Sequence, residues 1–321
     1  MRQHTIPESY LQAWCNPAPL PPNHQPFIWI HSKDGKVARK RAPHKAFRES
    51  DRYTIRQADG DKVLLVEHGL GTTEDSFVRL RPKIDARGSL GSDQKLALCT
   101  FATAMFARSK AQGDHFTAFF QRLHKMVENL EKRRNAEPGL SQETRFHAEN
   151  GPASTLTMFM VSWPLLFVQM RSTILCTDAS DGFITSDCPF VMVDPQAHRL
   201  PPSCRFPAPG NPRIEITLPL TPKRCLLLSH HYPEGYMDIS QAVVDEVNCR
   251  TRYQCTNQFV SQMGGTKQCW FDEGELPKDC WENSPEGIRA EIQRKRWLES
   301  KAKWEEYGRL HHEEEARPEQ S

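Results

Sequence analysis

The chain has 321 residues, 38% of them hydrophobic, and 42 basic against 40 acidic side chains give a formal charge of +2. That length can bury a substantial core as one large domain or two modest ones, and the balanced charge excludes recognition of nucleic acid or membrane by net charge alone. No apolar run approaches the roughly 20 residues of a membrane span, no secretory leader is visible at Met1-Arg2-Gln3-His4, and the ten scattered cysteines lack Cys-x-x-Cys spacing and read as thiols of a reducing cytoplasm.

Pro7 suits the first turn of a short helix and Glu8 its positive end. Tyr10, Leu11 and Trp14 then share one apolar face, with His4 just outside on the entering chain. That histidine has two readings: an imidazole bonding a carbonyl at a docked turn, or an acid, base or ligand. A Pro-rich connector (Pro17 to Pro26) leads into β-like segments Phe27–His31, Lys36–Arg41 and Val63–Val66, with turn signals at Lys33-Asp34-Gly35 and Ala58-Asp59-Gly60. The basic run from Lys36 to Arg48 is either a solvated face or a phosphate-facing patch.

From Thr72 the period is helical. Thr72 or Thr73 can cap, which puts Glu74 and Asp75 in the first turn and Phe77, Val78 and Ile84 on the apolar side. Ser92 caps a second helix over Gln94–Lys110, with Arg108 at its carbonyl end, where a cation suits the dipole. Asp114 opens a third, which ends at Lys132-Arg133-Arg134. A polar gap (Ala136 to Pro152) precedes an apolar segment from Ser154 to Met170, interrupted by Pro164 and predicted to be a central core helix.

Strands are predicted over Ser172–Thr177, Gly182–Ser186, Phe190–Val193, Arg213–Leu218 and Arg224–Ser229, with Asp181-Gly182 as a hairpin turn between the first two. Within Phe183-Ile184-Thr185-Ser186-Asp187-Cys188-Pro189-Phe190, Pro189 removes a donor and restricts Cys188, so the strand must break at Asp187 and free its carboxylate to face a pocket. A Pro-rich excursion (His198 to Pro212) comes next. A late helix over Ile239–Met263 should turn Ala242, Val243, Val247, Tyr253 and Phe259 inward. Ser284-Pro285-Glu286 starts a charged helix to about His312, either partly exposed or partner-binding, before an acidic tail from Glu313 to Ser321. The expected fold is α+β, with a helical half packed on a mainly antiparallel sheet and the N-terminal segment returning to the central site. The expected division is one domain over 1–280 (helix-rich 72–171, β-rich 172–230, late helix 239–263), followed by a charged C-terminal helix and tail over 281–321.

Gln3-His4-x-x-Pro7-x-x-Tyr10-Leu11-x-x-Trp14 together with Phe183-Ile184-Thr185-Ser186-Asp187-x-Pro189 resembles the bacterial domain-of-unknown-function family DUF4238. Ile28-Trp29-Ile30, Arg52-Tyr53-Thr54, Glu74, Arg108, Leu218-Pro219-Leu220-Thr221-Pro222 and Asn248 extend the likeness, which runs from about Gln3 to about Val260. Trp14 stands where the pattern has Phe, Cys188 where it has Asn, and Lys110 where Pro commonly follows the Arg. The resemblance implies a mostly bacterial, cytoplasmic setting and a site, and carries no activity with it.

The candidate constellation is His4, Glu74, Arg108 and Asp187, each outside the apolar face of its own segment. Carboxylates with histidine can hold a divalent cation such as Mg or Mn, and Arg can grip phosphate with two N–H donors. Metal-assisted hydrolysis of a phosphodiester or nucleotide would then use Asp187 and Glu74 on the metal, His4 as acid/base and Arg108 on the substrate, in a defence or toxin-type effector. Two alternatives remain: a buried ion pair of Arg108 with Asp187 or Glu74 that only stitches the halves together, and a non-enzymatic sensor binding an anionic ligand or nucleic acid in the same pocket. Cys188 lacks a base, Ser186 lacks a Gly-x-Ser-x-Gly elbow, and the adjacent pairs His230-His231 and His311-His312 cannot share a helix face.

Overall fold

The computed structural model describes residues 2–16, 25–56, 62–135, 139–197 and 207–272, positions 200 and 205, and parts of 289–302. The chain divides into two compact units, one of Met1–Val193 with Ala208–Glu273 and one of Asp194–Pro207 with Gly274–Ser321. In the second unit, positions 289, 291–293, 295–296 and 298–302 are helical, and Ile292 and Leu298 are exposed. Outside the described residues lie most of the Pro17–Pro26 connector, the Ala58-Asp59-Gly60 turn, much of the Pro-rich excursion, the Ser284-Pro285-Glu286 start and the Glu313–Ser321 tail.

The first unit is α+β. Strand β1 (Arg2–His4), a short helix α1 (Glu8–Leu11) and a 3-10 turn (Gln12–Trp14) open it. Strands β2 (Ile28–Ser32), β3 (Ala38–Arg41), β4 (Arg48–Ser50), β5 (Ile55–Arg56) and β6 (Lys62–Val63) follow. The helical half comprises α2 (Leu65–Asp85), α3 (Ser92–Ala107), α4 (Lys110–Arg134), α5 (Leu140–Glu149) and α6 (Gly151–Phe167). The β-rich half has β7 (Arg171–Cys176), β8 (Thr185–Ser186), β9 (Val191–Val193), β10 (Glu215–Thr221), β11 (Arg224–Ser229) and β12 (Gly235–Asp238), then α7 (Gln241–Gln254) and β13 (Gln258–Ser261).

The described strands form two two-stranded pairs, β1-β4 and β5-β6, and two larger sheets. One runs β12-β7-β11-β10-β9, antiparallel except for the β12–β7 pair, and the other runs β3-β2-β13-β8. The expected hairpin at Asp181-Gly182 is therefore corrected: β7 and β8 belong to different sheets. Gly182 sits at φ +59°, and a side chain there would strike Pro222 O, so this glycine turns the chain from one sheet to the other.

The helices also differ from expectation at several points, and α3 is N-capped by Gly91, with Ser92 its first helical residue. Helix α2 begins at Leu65, so Leu65 and Val66 are helical and Glu74 lies mid-helix. Thr72 and Thr73 bond back to the carbonyls of His68 and Gly69 at 3.2 and 3.1 Å instead of capping. Its buried stripe is Leu70, Thr73, Phe77, Leu80 and Ile84. Helix α4 starts earlier than Asp114, because Ser109 Oγ caps it by accepting from Gln112 N. The polar gap holds α5, which buries only Ser141 and Thr144. The late helix stops at Gln254; Phe259 is buried on a strand, while Val243 and Tyr253 point outward.

Helix α3, with Leu98, Phe101, Ala102, Met105 and others buried, occupies the core position expected of α6. Helix α6 leaves Met158, Val161, Leu165 and Leu166 exposed. The main core joins α1, α2 and α3 to both sheets, and Phe77 stacks on Phe101 with centroids 3.9 Å apart.

The N-terminal turn plugs into this core. Tyr10 and Trp14 are fully buried. Each covers about 200 Å², worth roughly 5 kcal/mol of transfer free energy at about 25 cal/mol per Å². Tyr10 donates its hydroxyl proton to Pro219 O at 2.6 Å and accepts from Thr185 Oγ1 at 2.6 Å; Trp14 Nε1 donates to Phe183 O at 2.8 Å. A phenylalanine at position 14 could not make the last bond. Tyr10→Phe removes the hydroxyl and strands a buried carbonyl and a buried threonine, so chemical denaturation should show a loss of about 2 kcal/mol with the fold retained.

Candidate functional site: a basic cleft beside Asp187

Strand β1 pairs with β4, His4 opposite Arg48, and Thr5 N donates to Phe47 O at 2.8 Å. This pairing folds the basic run back beside the N-terminus. A cavity of about 500 Å³ opens there, lined by Thr5, Arg41, His44, Lys45, Phe47, Arg48, Glu49, Ser50, Lys110, Asp187, Asn257 and Gln258.

Three of the four residues singled out from the sequence come together, away from that lining. Arg108, 3% exposed, pairs through Nη1 with Glu74 Oε1 at 2.5 Å and donates through Nη2 to His4 O at 2.5 Å. Its own carbonyl accepts from Tyr53 Oη at 2.7 Å. The His4 ring bonds through Nε2 to His44 O at 3.3 Å, so Nε2 carries the proton. Burial lowers the pKa of this imidazole, against the raising effect of that bond. Glu67 lies in the same field: burial raises its pKa, Arg108 lowers it, and Glu74 raises it. The structure thus contains the stitching arrangement of Arg108 with Glu74.

Asp187 does line the cleft, but it is not free. Thr256 N donates to Oδ1 at 2.8 Å, and Asn257 N and Gln258 N donate to Oδ2 at 2.7 and 3.1 Å. The strand ends at Ser186 as Pro189 requires, and the released carboxylate binds the turn between α7 and β13. Burial raises its pKa; the three N–H groups and Lys33 lower it. Asp187 shares no hydrogen bond or ion pair with His4, Glu74 or Arg108 among the described residues. Asp187 and Glu74, the expected metal pair, are held by different partners, and the described residues contain no group of three or more His, Cys, Asp or Glu suited to a metal ion.

What the cleft does present is positive charge. Arg41, Lys45 and Arg48 have no carboxylate partner among the described residues, and Arg48 Nη1 donates to His44 O at 3.1 Å. Lys110 Nζ bonds Asp114 Oδ2 at 2.6 Å and lies 3.6 Å from Glu49 Oε1; the Asp114 bond raises its pKa. The guanidinium of Arg52, 6% exposed, holds Glu49 at 2.6 Å, Asp114 at 3.2 Å and Lys110 O at 3.0 Å, fixing this rim. The sequence marked the Lys36–Arg48 run. Lys110 stood out only as a departure from the family pattern, and Asn257 and Gln258 gave no sign because a helix was expected there. Cys188 is buried with its pKa raised by desolvation and its Sγ 3.3 Å from Thr256 Oγ1, an environment that keeps the thiol protonated.

The remaining motif residues brace the same region. Gln3 Oε1 accepts from Tyr53 N at 2.7 Å, and Asn248 spans Ile184 N and Gly182 O at 2.9 Å each. An α+β protein whose first residues are locked into its central strand break, with a basic cleft alongside, is what fold and site define together. The chain belongs to DUF4238, proteins of unknown function, whose family model matches residues 2–263. No curated protein and no solved structure matches it.

Two measurements check these assignments. Asp187→Ala leaves three backbone donors without their acceptor and should lower stability by about 2 kcal/mol in denaturant titration. The lowered pKa of His4 sets a sign: at and below about pH 6.5 the unfolded chain binds a proton that the folded one does not. Stability is full above that pH and falls as pH drops toward the folded value. His31, also lowered by burial, acts in the same direction. His4→Gln, which can still donate to His44 O, should flatten part of that slope between pH 7 and pH 5 in thermal melts.

Proposed function

We propose that the protein binds a phosphate-bearing anion in the basic cleft. The observation that carries this reading is the group of three cations, Arg41, Lys45 and Arg48, that have no carboxylate partner among the described residues and share the lining of one cavity of about 500 Å³. Such a volume falls within the roughly 300–1,000 Å³ of small-molecule sites. Like charges on one cavity wall repel, so an anion bound among them gains both their attraction and the relief of that repulsion. Arginine's planar fork suits phosphate oxygens, and Thr5 and Ser50 add short hydroxyls to the lining. This is the sensor or interaction-module class.

Metal-assisted phosphodiester hydrolysis is the second reading. Asp187 on the cleft wall favours it, but that carboxylate already accepts three N–H bonds, and Glu74 is outside the lining. A defence or toxin-type role belongs to this second reading and rests on no residue. A bacterial cytoplasmic setting accompanies both readings; it is supported by the family likeness and by the buried free thiols of Cys99, Cys176, Cys188, Cys225 and Cys255. No helix of the described residues is long and apolar enough to cross a membrane. A protein partner for the charged C-terminal helix remains part of the proposal.

Sodium tripolyphosphate tests the cleft. At about a hundred times its dissociation constant it should stabilise the fold by about 2.7 kcal/mol, read as a rise in Tm. Added salt should weaken the effect, and Arg41→Ala with Lys45→Ala should abolish it. No shift, or an equal shift in the double variant, refutes the site. Cleavage of nucleic acid dependent on Mn²⁺ and lost in Asp187→Asn would favour hydrolysis instead.

A further inference from the structure

The lining of the cleft holds more than cations. Phe47, between Lys45 and Arg48 in the chain, brings the one phenyl ring of that lining, half-buried against the main core. Its backbone sits at φ +48°, a left-handed conformation that suits Gly or Asn better than a bulky side chain. Thr5 holds it there: its N and its Oγ1 both donate to Phe47 O, at 2.8 and 3.1 Å. Strain of this kind persists only where the surroundings enforce it, and it gathers at ligand sites. The turn after α7 adds two carboxamides to the lining, those of Asn257 and Gln258, with no hydrogen-bond partner among the described residues. Asp187 Oδ1 accepts one N–H where Oδ2 accepts two, so it keeps room for a further donor. An inorganic phosphate has no use for a phenyl ring, and its acceptor oxygens gain nothing from a carboxylate.

We propose that the ligand is a phosphorylated sugar, with its phosphate among Arg41, Lys45 and Arg48, its hydroxyls on Asn257, Gln258 and Asp187 Oδ1, and a C–H face of its ring against Phe47. This rests on the phosphate-binding reading of the cleft. A sugar hydroxyl both donates and accepts, as a carboxamide does, so the two can bond in either direction. The carbons of a sugar ring present an apolar face that an aromatic side chain can cover. Cations, carboxamides, carboxylate and ring all line the same cavity.

Calorimetric titration of the full chain with ribose 5-phosphate, glucose 6-phosphate, phenyl phosphate and inorganic phosphate tests the assignment. At least one of the two sugar phosphates should bind about tenfold tighter than either of the other probes. Asn257→Ala with Gln258→Ala should remove that advantage and leave tripolyphosphate affinity unchanged. Asn257 is exposed and Gln258 half-buried, so an unaltered Tm is expected for this variant. Phe47→Leu, which keeps an apolar contact with the core, should weaken the sugar phosphates and not inorganic phosphate. If phenyl phosphate or inorganic phosphate binds as tightly as both sugar phosphates, or the double variant changes nothing, the sugar assignment is wrong and the phosphate site stands on tripolyphosphate. If tripolyphosphate fails to bind as well, both fall.

Discussion

Two aromatic side chains near the start of the chain, Tyr10 and Trp14, give up their polar protons to carbonyls of the central β-rich half, at Pro219 and Phe183. Both rings are fully buried, so water cannot replace these bonds, and the segment either docks completely or leaves two large aromatics and several polar groups uncovered. Docking fixes what precedes them. With α1 seated, β1 can only run beside β4, and Gln3 reaches the backbone of Tyr53. The Tyr53 hydroxyl reaches the Arg108 carbonyl, while the Arg108 guanidinium takes the carbonyl of His4. The N-terminus, the basic run and the junction of α3 with α4 are thereby one hydrogen-bonded assembly, and the cleft is bounded by it.

Partnering separates scaffold from site in this assembly. Arg108 and Glu74 satisfy each other, and because the Arg108 side chain is 3% exposed, removing Glu74 would leave a buried charge without its counter-ion, a loss of about 3–5 kcal/mol for buried pairs. Asp187 gives its carboxylate to three amides of a turn. Arg52 is spent on Glu49, Asp114 and the Lys110 carbonyl. All these charges are answered within the protein. Among the described residues, Arg41, Lys45 and Arg48 have no carboxylate to answer them, and they share one concavity. An unanswered charge held by an answered framework is what a ligand site needs, because the framework keeps the cations from relaxing away from one another.

The sequence made some of this legible and hid the rest for identifiable reasons. Strands β7, β10 and β11 are buried at all but their first positions, so their sequences favour apolar and β-branched residues over a polar-apolar alternation, and their positions were readable. The basic end of α4 was readable too, closed by Asn135 at φ +49°. Helix α5 was not, since it docks on α4 through polar contacts, with Ser141 N on Glu131 and His124 on Thr144, and so lacks an apolar stripe. The start of α2 was masked by threonines that look like caps but bond backward along the helix. Strand β13 was read as helix because no glycine or proline interrupts the chain between Gln241 and Met263. The break between them is imposed from a distance, by the Asp187 carboxylate. That same chemistry misled the reading of function: a carboxylate next to a forced strand break reads as a free acid, because sequence shows a group's type and not what answers it.

The role Asp187 does play bears on function all the same. By gathering the amides of Thr256, Asn257 and Gln258, it ends the helical path of α7 and bends the chain so that Asn257 and Gln258 face the cleft and β13 can pair with both β2 and β8. Its negative charge is placed where three N–H dipoles and Lys33 point, so the turn holds it without drawing on the cations of the other wall. A neutral side chain there would hold the turn less firmly; an unheld carboxylate would compete with an incoming anion for Arg41 and Arg48. Tying the one acid of the 187–189 break to backbone amides resolves both problems. It explains how an aspartate can line a basic cleft without neutralising it.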